Sequence, residues 1–564
     1  MNEKVKTSIF LFLAILFVAI AVFNRPAVRE FQAEEMLGTV LFPQFTNPLD
    51  IQSLEITRLN VAGEVEHFRI AAIDGIWSIP SHDNYPADAR DQMGRLAEAL
   101  TGLTVLEIIQ HEGSGINVTA FQSQYGVIDP ASDDASLGAD AGLKVLISGE
   151  NNETLVNLII GREVARGPAH DQTNDSATLR YVRIANQLPV YVVNIDSSQF
   201  STNFGQWIER NLLDISMFDI KEFFVDQYSF SVELALTTRG IQEIPQASFI
   251  GDMTLGYDAS AIGADKWSLI RWMIFEGQNH LYREQHLDAN RELNTDTLDA
   301  MVSALNDLRI VNVVKKPASL AEALRDGTPF TNIANIELDA SMQESMQRTG
   351  FWLVEMSDMK GGTDDTKTQL LSNQGDLQIR LKDGIIYHLR FGDLTGTESE
   401  LPLAESATER PEEKTTMGVN RYLFITAEFD HAIIPLPELR EVPTLPDESD
   451  EDMERLTQEI AGINLANQRE QERYDTEIDR GQRRAADLSA RFADWYYVIS
   501  EDVYRQIHLS ESNVFRVRDQ NNDTQTSSPF SLSELPMIQV EWPDDEEQED
   551  ENDDTEDGES ETDE

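Results

Sequence analysis

The stretch from Asp50 to Leu213 is largely written a second time, more loosely, after Asp219, so a fold for this chain has to accommodate two related units. Asp50-Ile51-Gln52-Ser53-Leu54-Glu55-Ile56 is answered by Asp219-Ile220-Lys221-Glu222-Phe223-Phe224-Val225, and Trp77-Ser78-Ile79 by Trp267-Ser268-Leu269. Met93, Leu96, Leu100 and Leu103 return as Leu298, Met301, Leu305 and Leu308 with the same three-four-three spacing, which sets four apolar side chains on one helix face. A β-branched string follows each helix, Val105 to Ile109 and then Ile310 to Val314. Leu158-Ile159-Ile160-Gly161 is echoed by Leu389-Arg390-Phe391-Gly392, and Arg180-Tyr181-Val182-Arg183-Ile184 by Arg421-Tyr422-Leu423-Phe424-Ile425. The fold class expected is α+β, with tandem units of mostly antiparallel strands and packed helices.

The pattern divides the chain. Residues 1–24 form an apolar segment: Ile9 to Phe23 is unbroken, Lys4 and Lys6 precede it, and it approaches the lower limit for spanning a bilayer. A retained transmembrane anchor is one reading; a cleaved signal peptide, with Ala19 and Ala21 as its small-x-small site, is the other. Residues 25–49 read as a proline-bearing tether, 50–218 as the first unit and 219–518 as the second. The second unit carries a helical insertion at 431–492. There Met453, Leu456, Ile460 and Ile463, and later Ala485, Leu488, Phe492 and Trp495, step at helical spacing, as one long amphipathic helix or a helical hairpin would require. Trp495 to Ile499 then resumes the strand that Pro189 to Val193 supplies in the first unit. Residues 519–564 end in a nearly continuous acidic run, a composition that repels itself and stays disordered.

Charge and chemistry narrow the function by exclusion. A formal charge of -56 opposes association with nucleic acid or anionic lipid head groups. The chain has no cysteine, which removes disulfides, thiolate nucleophiles and cysteine metal sites. It lacks a Gly-x-x-x-x-Gly-Lys-Ser/Thr phosphate loop, a Gly-x-Gly-x-x-Gly turn after a strand, a His-Glu-x-x-His helix and a Gly-x-Ser-x-Gly elbow. His280 and His286 stand six apart, which is not the spacing that turns two imidazoles to one side of a helix. Asp519-Gln520-Asn521-Asn522-Asp523 has the alternating oxygens of a calcium loop but not its glycine or its final glutamate. Trp77, Trp267, Tyr181 and Tyr422 recur at matching places and read as core. No catalytic, cofactor-binding or metal-binding residues are assigned. The candidate partner-binding residues are Met453, Leu456, Ile460 and Ile463.

A tryptophan strand at Trp77, Pro86-Ala87-Asp88 opening a leucine-spaced helix, Tyr125-Gly126 with Pro130, a strand ending in Gly161, Tyr181-Val182, and the closing Arg210-Asn211-Leu212-Leu213 together resemble the bacterial family catalogued as domain of unknown function 4340. The resemblance implies a membrane-anchored extracytoplasmic protein, of a family often encoded beside transporter components related to the gliding-motility ABC system, and it brings no catalytic residues. The second unit departs from the pattern, since it lacks the Pro-Ala-Asp start and carries the insertion. The function expected is therefore a non-catalytic accessory or scaffold of a membrane transport complex, single-pass in the bacterial inner membrane with its bulk on the periplasmic or extracytoplasmic side. A periplasmic ligand-binding protein with a pocket between the two units is the alternative, and a hydrolase stands behind both.

Overall fold

A computed structural model describes residues 36–60, 63–110, 117–133, 140–164, 178–237, 240–277, 281–325, 339–357, 366–396, 419–443 and 450–518. The apolar run Ile9 to Phe23, His280 and the acidic tail lie outside these residues. Among the described residues no helix is long and apolar enough to cross a membrane.

In the first repeat a four-strand meander, β1 (Ser53–Leu59), β2 (Val65–Ile73), β3 (Ile76–Ile79) and β4 (Tyr85–Pro86), leads into α1 (Arg90–Thr101). The chain then lays down β5 (Glu107–Ile109), α2 (Val118–Tyr125) and a second meander, β6 (Leu143–Ser148), β7 (Thr154–Glu163), β8 (Leu179–Ile184) and β9 (Val190–Asn194). The two meanders join through antiparallel pairing of β1 with β6, giving a nine-stranded sheet in the order β4-β3-β2-β1-β6-β7-β8-β9-β5. Helix α1 therefore carries the chain from one sheet edge to the other. Local chemistry sets the corners: Asp74 and Gly75 both take positive φ, 52° and 81°, as the tight β2–β3 turn demands.

The second repeat follows the same path with additions. Strands β10 (Ile220–Thr237), β11 (Gly240–Tyr257), β12 (Trp267–Glu276) and β13 (Leu281–Glu284) form the first meander. After β14 (Arg291–Leu293) come α3 (Thr295–Asn306) and the far-edge strand β15 (Asn312–Lys315). An inserted group, α4 (Ala318–Arg325), α5 (Ala340–Thr349), β16 (Phe351–Ser357) and β17 (Thr366–Ser372), precedes the second meander, β18 (Asp376–Leu381), β19 (Ile385–Gly396), β20 (Val419–Phe429) and β21 (Trp495–Ser500). The sheet order, β13-β12-β11-β10-β18-β19-β20-β21-β15, matches the first strand for strand. Between β20 and β21 runs α6 (Asp450–Ala493), a single helix of 44 residues, so the insertion is one helix rather than a hairpin. Two short helices, α7 (Glu501–Ile507) and α8 (Glu511–Val514), and β22 (Phe515–Val517) complete the described chain.

Strand alternation decides which face is buried. Leu54 and Ile56 on β1 are fully buried, as are Phe223 and Ile379 on β10 and β18, and they share one continuous apolar core with Leu96 and Leu100 of α1 and Leu298, Met301 and Leu305 of α3. Each fully buried leucine of this set contributes about 1.5–3 kcal/mol over leaving it in water. Both repeats belong to one compact body. Between them, Tyr85 and Trp495 meet edge to face at 5.0 Å, and the Tyr387 hydroxyl donates to Leu213 O at 3.0 Å.

Two expected boundaries move. The segment read as a tether is packed from about Met36 onward: Leu41, Phe42 and Phe45 are no more than 3% exposed, and Leu41 N donates to Leu103 O at 2.7 Å. Its counterpart is Arg210-Asn211-Leu212-Leu213, where Leu212 N donates to Leu308 O and Ile310 N to Arg210 O. The isolated bridges agree, Val40 with Thr104 and Asn211 with Arg309. The tetrad read as closing the first unit is the opening of the second, and each repeat starts about ten residues earlier than its most legible strand. Helix α1 likewise begins at Arg90, not at Pro86, because Pro86 still pairs with Ser78 and Ala87 N donates to Trp77 O.

Candidate functional site

Helix α6 has two halves with different surroundings. From Gly481 onward it lies on the second sheet: Ala485 and Phe492 are buried, Ser489 Oγ donates to Ala427 O at 3.2 Å, and Arg484 pairs with Asp383. Gly481 sits where β20 ends, and a Cβ there would run into the Phe429 ring, so glycine is what lets the helix approach. Upstream, Asp450 to Arg480 projects from the sheet for about 46 Å at 1.5 Å per residue. Leu456, Ile460 and Ile463 fall on the stripe that continues into the docked half, and all three are only half-buried. Met453 carries no described side chain. The stripe expected to meet a partner is thus placed along a projecting arm.

A second segment completes the arm. After Ile434, which is buried, residues 435–443 run beside α6 without regular structure, and Asn467 fastens them: its Nδ2 donates to Arg440 O and its Oδ1 accepts from Arg440 N, both at 2.8 Å. Between strap and helix lies an open groove of about 650 Å³, lined by Pro435 to Arg440 and by Asn467, Glu470, Tyr474 and Glu477. Leu436 is 77% exposed, Leu439 53%, and Leu465 on the helix 49%. Sequence reasoning missed the strap, although Pro435, Pro437 and Pro443 with leucines three apart were a usable signal.

The other concentration of polar side chains is on the outer face of the second sheet. Cross-strand register sets Asp252, Asp226, Asp376 and Arg390 side by side on β11, β10, β18 and β19. Asp376 Oδ1 accepts from the Tyr228 hydroxyl at 2.7 Å, and its Oδ2 lies 3.4 Å from Arg390 Nε; Asp252 pairs with Arg271 at 3.1 Å. Burial, with Asp226 adding to it and Arg390 opposing it, pushes the Asp376 carboxyl up to about 6. Burial raises Tyr228 well above the ordinary phenol range. One rung along, His388 Nε2 lies 2.9 Å from Glu428 Oε1; burial lowers the imidazole, and the hydrogen bond lowers Glu428.

The row ties strands together. Ser372 N donates to the Tyr228 hydroxyl and Ser372 Oγ to Gly375 O, so the row pins the end of β17 to the sheet. The aspartates are spread one strand apiece, about 4.8 Å apart, too far for all three to chelate one ion. Among the described residues no group of three or more His, Asp or Glu is arranged to hold a metal. The first sheet carries Thr57 and Lys144 where the second has Asp226 and Asp376, so the row belongs to one repeat only. The aromatic positions pack as expected: Trp267 stacks on Phe223 at 5.7 Å and donates to Asp299, and Tyr181 meets Tyr125 at 4.9 Å.

Comparison with known proteins finds no match among curated proteins or solved structures. The family described as Domain of unknown function (DUF4340) matches residues 77–325. That span starts in β3, crosses the joint at Arg210 and ends with α4, taking in the core helices of both repeats but not α6. Over residues 77–325 the chain is similar to the DUF4340 family.

Proposed function

We propose that this protein is a non-catalytic accessory or scaffold of a membrane transport complex, anchored through its N-terminal apolar segment with the two repeats on the extracytoplasmic side. The observation that carries the reading is the arm. A helix that leaves its own sheet for about thirty residues while keeping its apolar stripe half-exposed is built to meet another surface. Buried polar and charged side chains elsewhere serve packing: Asp376, Tyr228, His388 and the Arg421–Glu501 pair are each tied to strand or helix anchors. The repeats supply a rigid base, and the arm supplies reach.

The test is a mild-detergent pull-down of the full chain beside a version in which residues 436–479 are replaced by a short Gly-Ser linker. Pro435 and Glu477 line the same groove, so the ends are close, and Gly481 to Ala493 stay docked. Membrane transporter subunits recovered with the full chain and lost without the arm are the expected result. Identical recoveries from both, or recovery of neither chain with membrane proteins, would remove the basis for the reading.

A further inference from the structure

The β10–β11 hairpin outruns its neighbours, and its main chain can be followed rung by rung. Thr237 pairs with Gly240 across two residues, so that pair exchanges both of its main-chain hydrogen bonds, and every second rung down to Ser229 and Ser248 does the same. The rungs between leave their N–H and C=O groups turned away from the partner strand. Pro245 agrees with this: it stands opposite Val232 on an intervening rung, where no donor toward β10 is called for. Phe230, Val232, Leu234 and Leu236 therefore turn their main-chain groups to the outer edge of β10. On that side β18 begins at Asp376, opposite Asp226, and Gly375 comes up against Tyr228, where a Cβ would lie 3.3 Å from the Tyr228 carbonyl oxygen. Beyond Tyr228 no strand among the described residues pairs with this edge.

The two edges of the hairpin are finished differently. Pro245 takes a donor away from the β11 edge, as edge strands that stay unpaired often do, whereas from Tyr228 to Thr237 the β10 edge has neither proline nor lysine. Only Glu233, Arg239 and Glu243 are charged between Tyr228 and Phe249, in a chain of formal charge -56. The faces differ too. One is covered by β16 and β17, a separate two-stranded sheet, with Trp352 against Phe230 at 5.2 Å. One step toward the tip, Val232 and Val354 of the same cluster are only half-buried, and Gln369 is exposed. The opposite face carries Ser229 and Glu233, both exposed, with Ser231 between them. A row of N–H and C=O groups is matched by another main chain, which a lipid surface or a nucleic acid does not offer, and a second copy brings a charge of -56 against its equal. We propose that the β10 edge takes up an extended segment of a partner protein as an added strand, apolar toward Val232 and Val354 and polar beside Ser231 and Glu233. This surface is separate from the arm, so it stands or falls independently of the accessory reading.

The probe is a fluorescein-labelled peptide of about ten residues, alternating valine and threonine with one lysine and one glutamate, titrated by anisotropy against the full chain in mild detergent. Its control has the same side chains but a methyl on each main-chain nitrogen, so it cannot donate. Val232→Pro removes a donor from the β10 edge without touching the β10–β11 bonds, as Pro245 does across from it. Leu236→Pro does so nearer the tip, where the side chain is 85% exposed. Ala247→Pro is the matching change on the β11 edge. Equal binding by the parent and by Ala247→Pro is expected, with about tenfold or greater weakening for Val232→Pro, Leu236→Pro and the methylated peptide. Thermal unfolding is run on each variant, and weakening counts only where the variant unfolds with the parent. No binding by the parent, parent-like binding by the β10 variants, equal binding of the methylated peptide, or weakening by Ala247→Pro overturns the proposal. So does light scattering that reports a dimer split by Leu236→Pro, which makes the occupant a second copy. Binding gained only when the chain is cut after Arg518 overturns it as well, since the edge is then closed to partners in the full chain.

Discussion

Replacing Asp376 by Asn should stabilise the protein at neutral pH and leave it unchanged in acid. The carboxyl sits between Asp226 and Arg390 with its hydroxyl donor Tyr228 at 2.7 Å, and burial lifts it from 3.8 to about 6. A group whose folded value is raised contributes its full stability below the unfolded value and loses it as pH climbs through the folded one. Here that window runs from about pH 4 to pH 6. At 1.36 kcal/mol per tenfold, holding the charged form at pH 7.5 costs about 3 kcal/mol, an upper figure because the side chain keeps some solvent contact. Asn has the shape of the neutral acid and escapes that cost. Urea or thermal unfolding of both proteins at pH 4 and pH 7.5, followed by near-ultraviolet circular dichroism, reads the difference. Coincident curves at pH 4 with the variant more stable at pH 7.5 are expected. A variant less stable at pH 7.5 would mean that the Arg390 ion pair outweighs burial and would refute the reasoning.

The other expectations concern packing. Gly481→Ala gains about 1 kcal/mol in helix propensity but forces a methyl into the Phe429 ring, costing about 1–3 kcal/mol, and hydrogen exchange in α6 should rise from Gly481 to Ala493. Unchanged exchange would show that Phe429 moves aside freely. Arg421→Met takes from Glu501 the cation that now donates to it at 2.8 and 3.2 Å, in a site where neither partner is more than 10% exposed, and leaves it only the exposed Arg505 at 3.5 Å; it should destabilise by about 3 kcal/mol in thermal unfolding. Adding Glu501→Leu should recover most of that loss, and failure to recover it would point to the cation over the Tyr504 ring at 4.2 Å as the dominant contact.

The repeat was legible because burial imposes period two on strands and three-to-four spacing on helices, and Leu54, Ile56, Leu96 and Leu100 obey both. Its edges were not, because Thr39-Val40-Leu41-Phe42 and Arg210-Asn211-Leu212-Leu213 do their work through main-chain bonds that leave little mark on side-chain choice. The far halves of β10 and β11 went unread although Tyr228, Phe230 and Val232 alternate with polar residues, because the hairpin they pack on, with Trp352 of β16 and Leu371 of β17, belongs to an insertion that the first repeat does not announce. At the arm, the helix stripe could be read, but whether it ended on its own sheet or beyond it depended on Gly481, a residue whose role is defined by Phe429, far away in sequence. The charged row needed register: Asp226, Asp252 and Asp376 are ordinary surface aspartates until three strands bring them level.

The joint between the repeats limits how the molecule can move. Ile208 is buried in the common core and Arg210 accepts from Ile310, so Glu209 alone separates them, and its carboxylate is held by Asn211 N at 2.9 Å. Two lobes that clamp a ligand need slack between them, a few residues free to change their dihedrals. Here a single residue separates a side chain of the shared core from the main-chain bond that opens the second repeat, so a hinge of that kind would have to open the core itself.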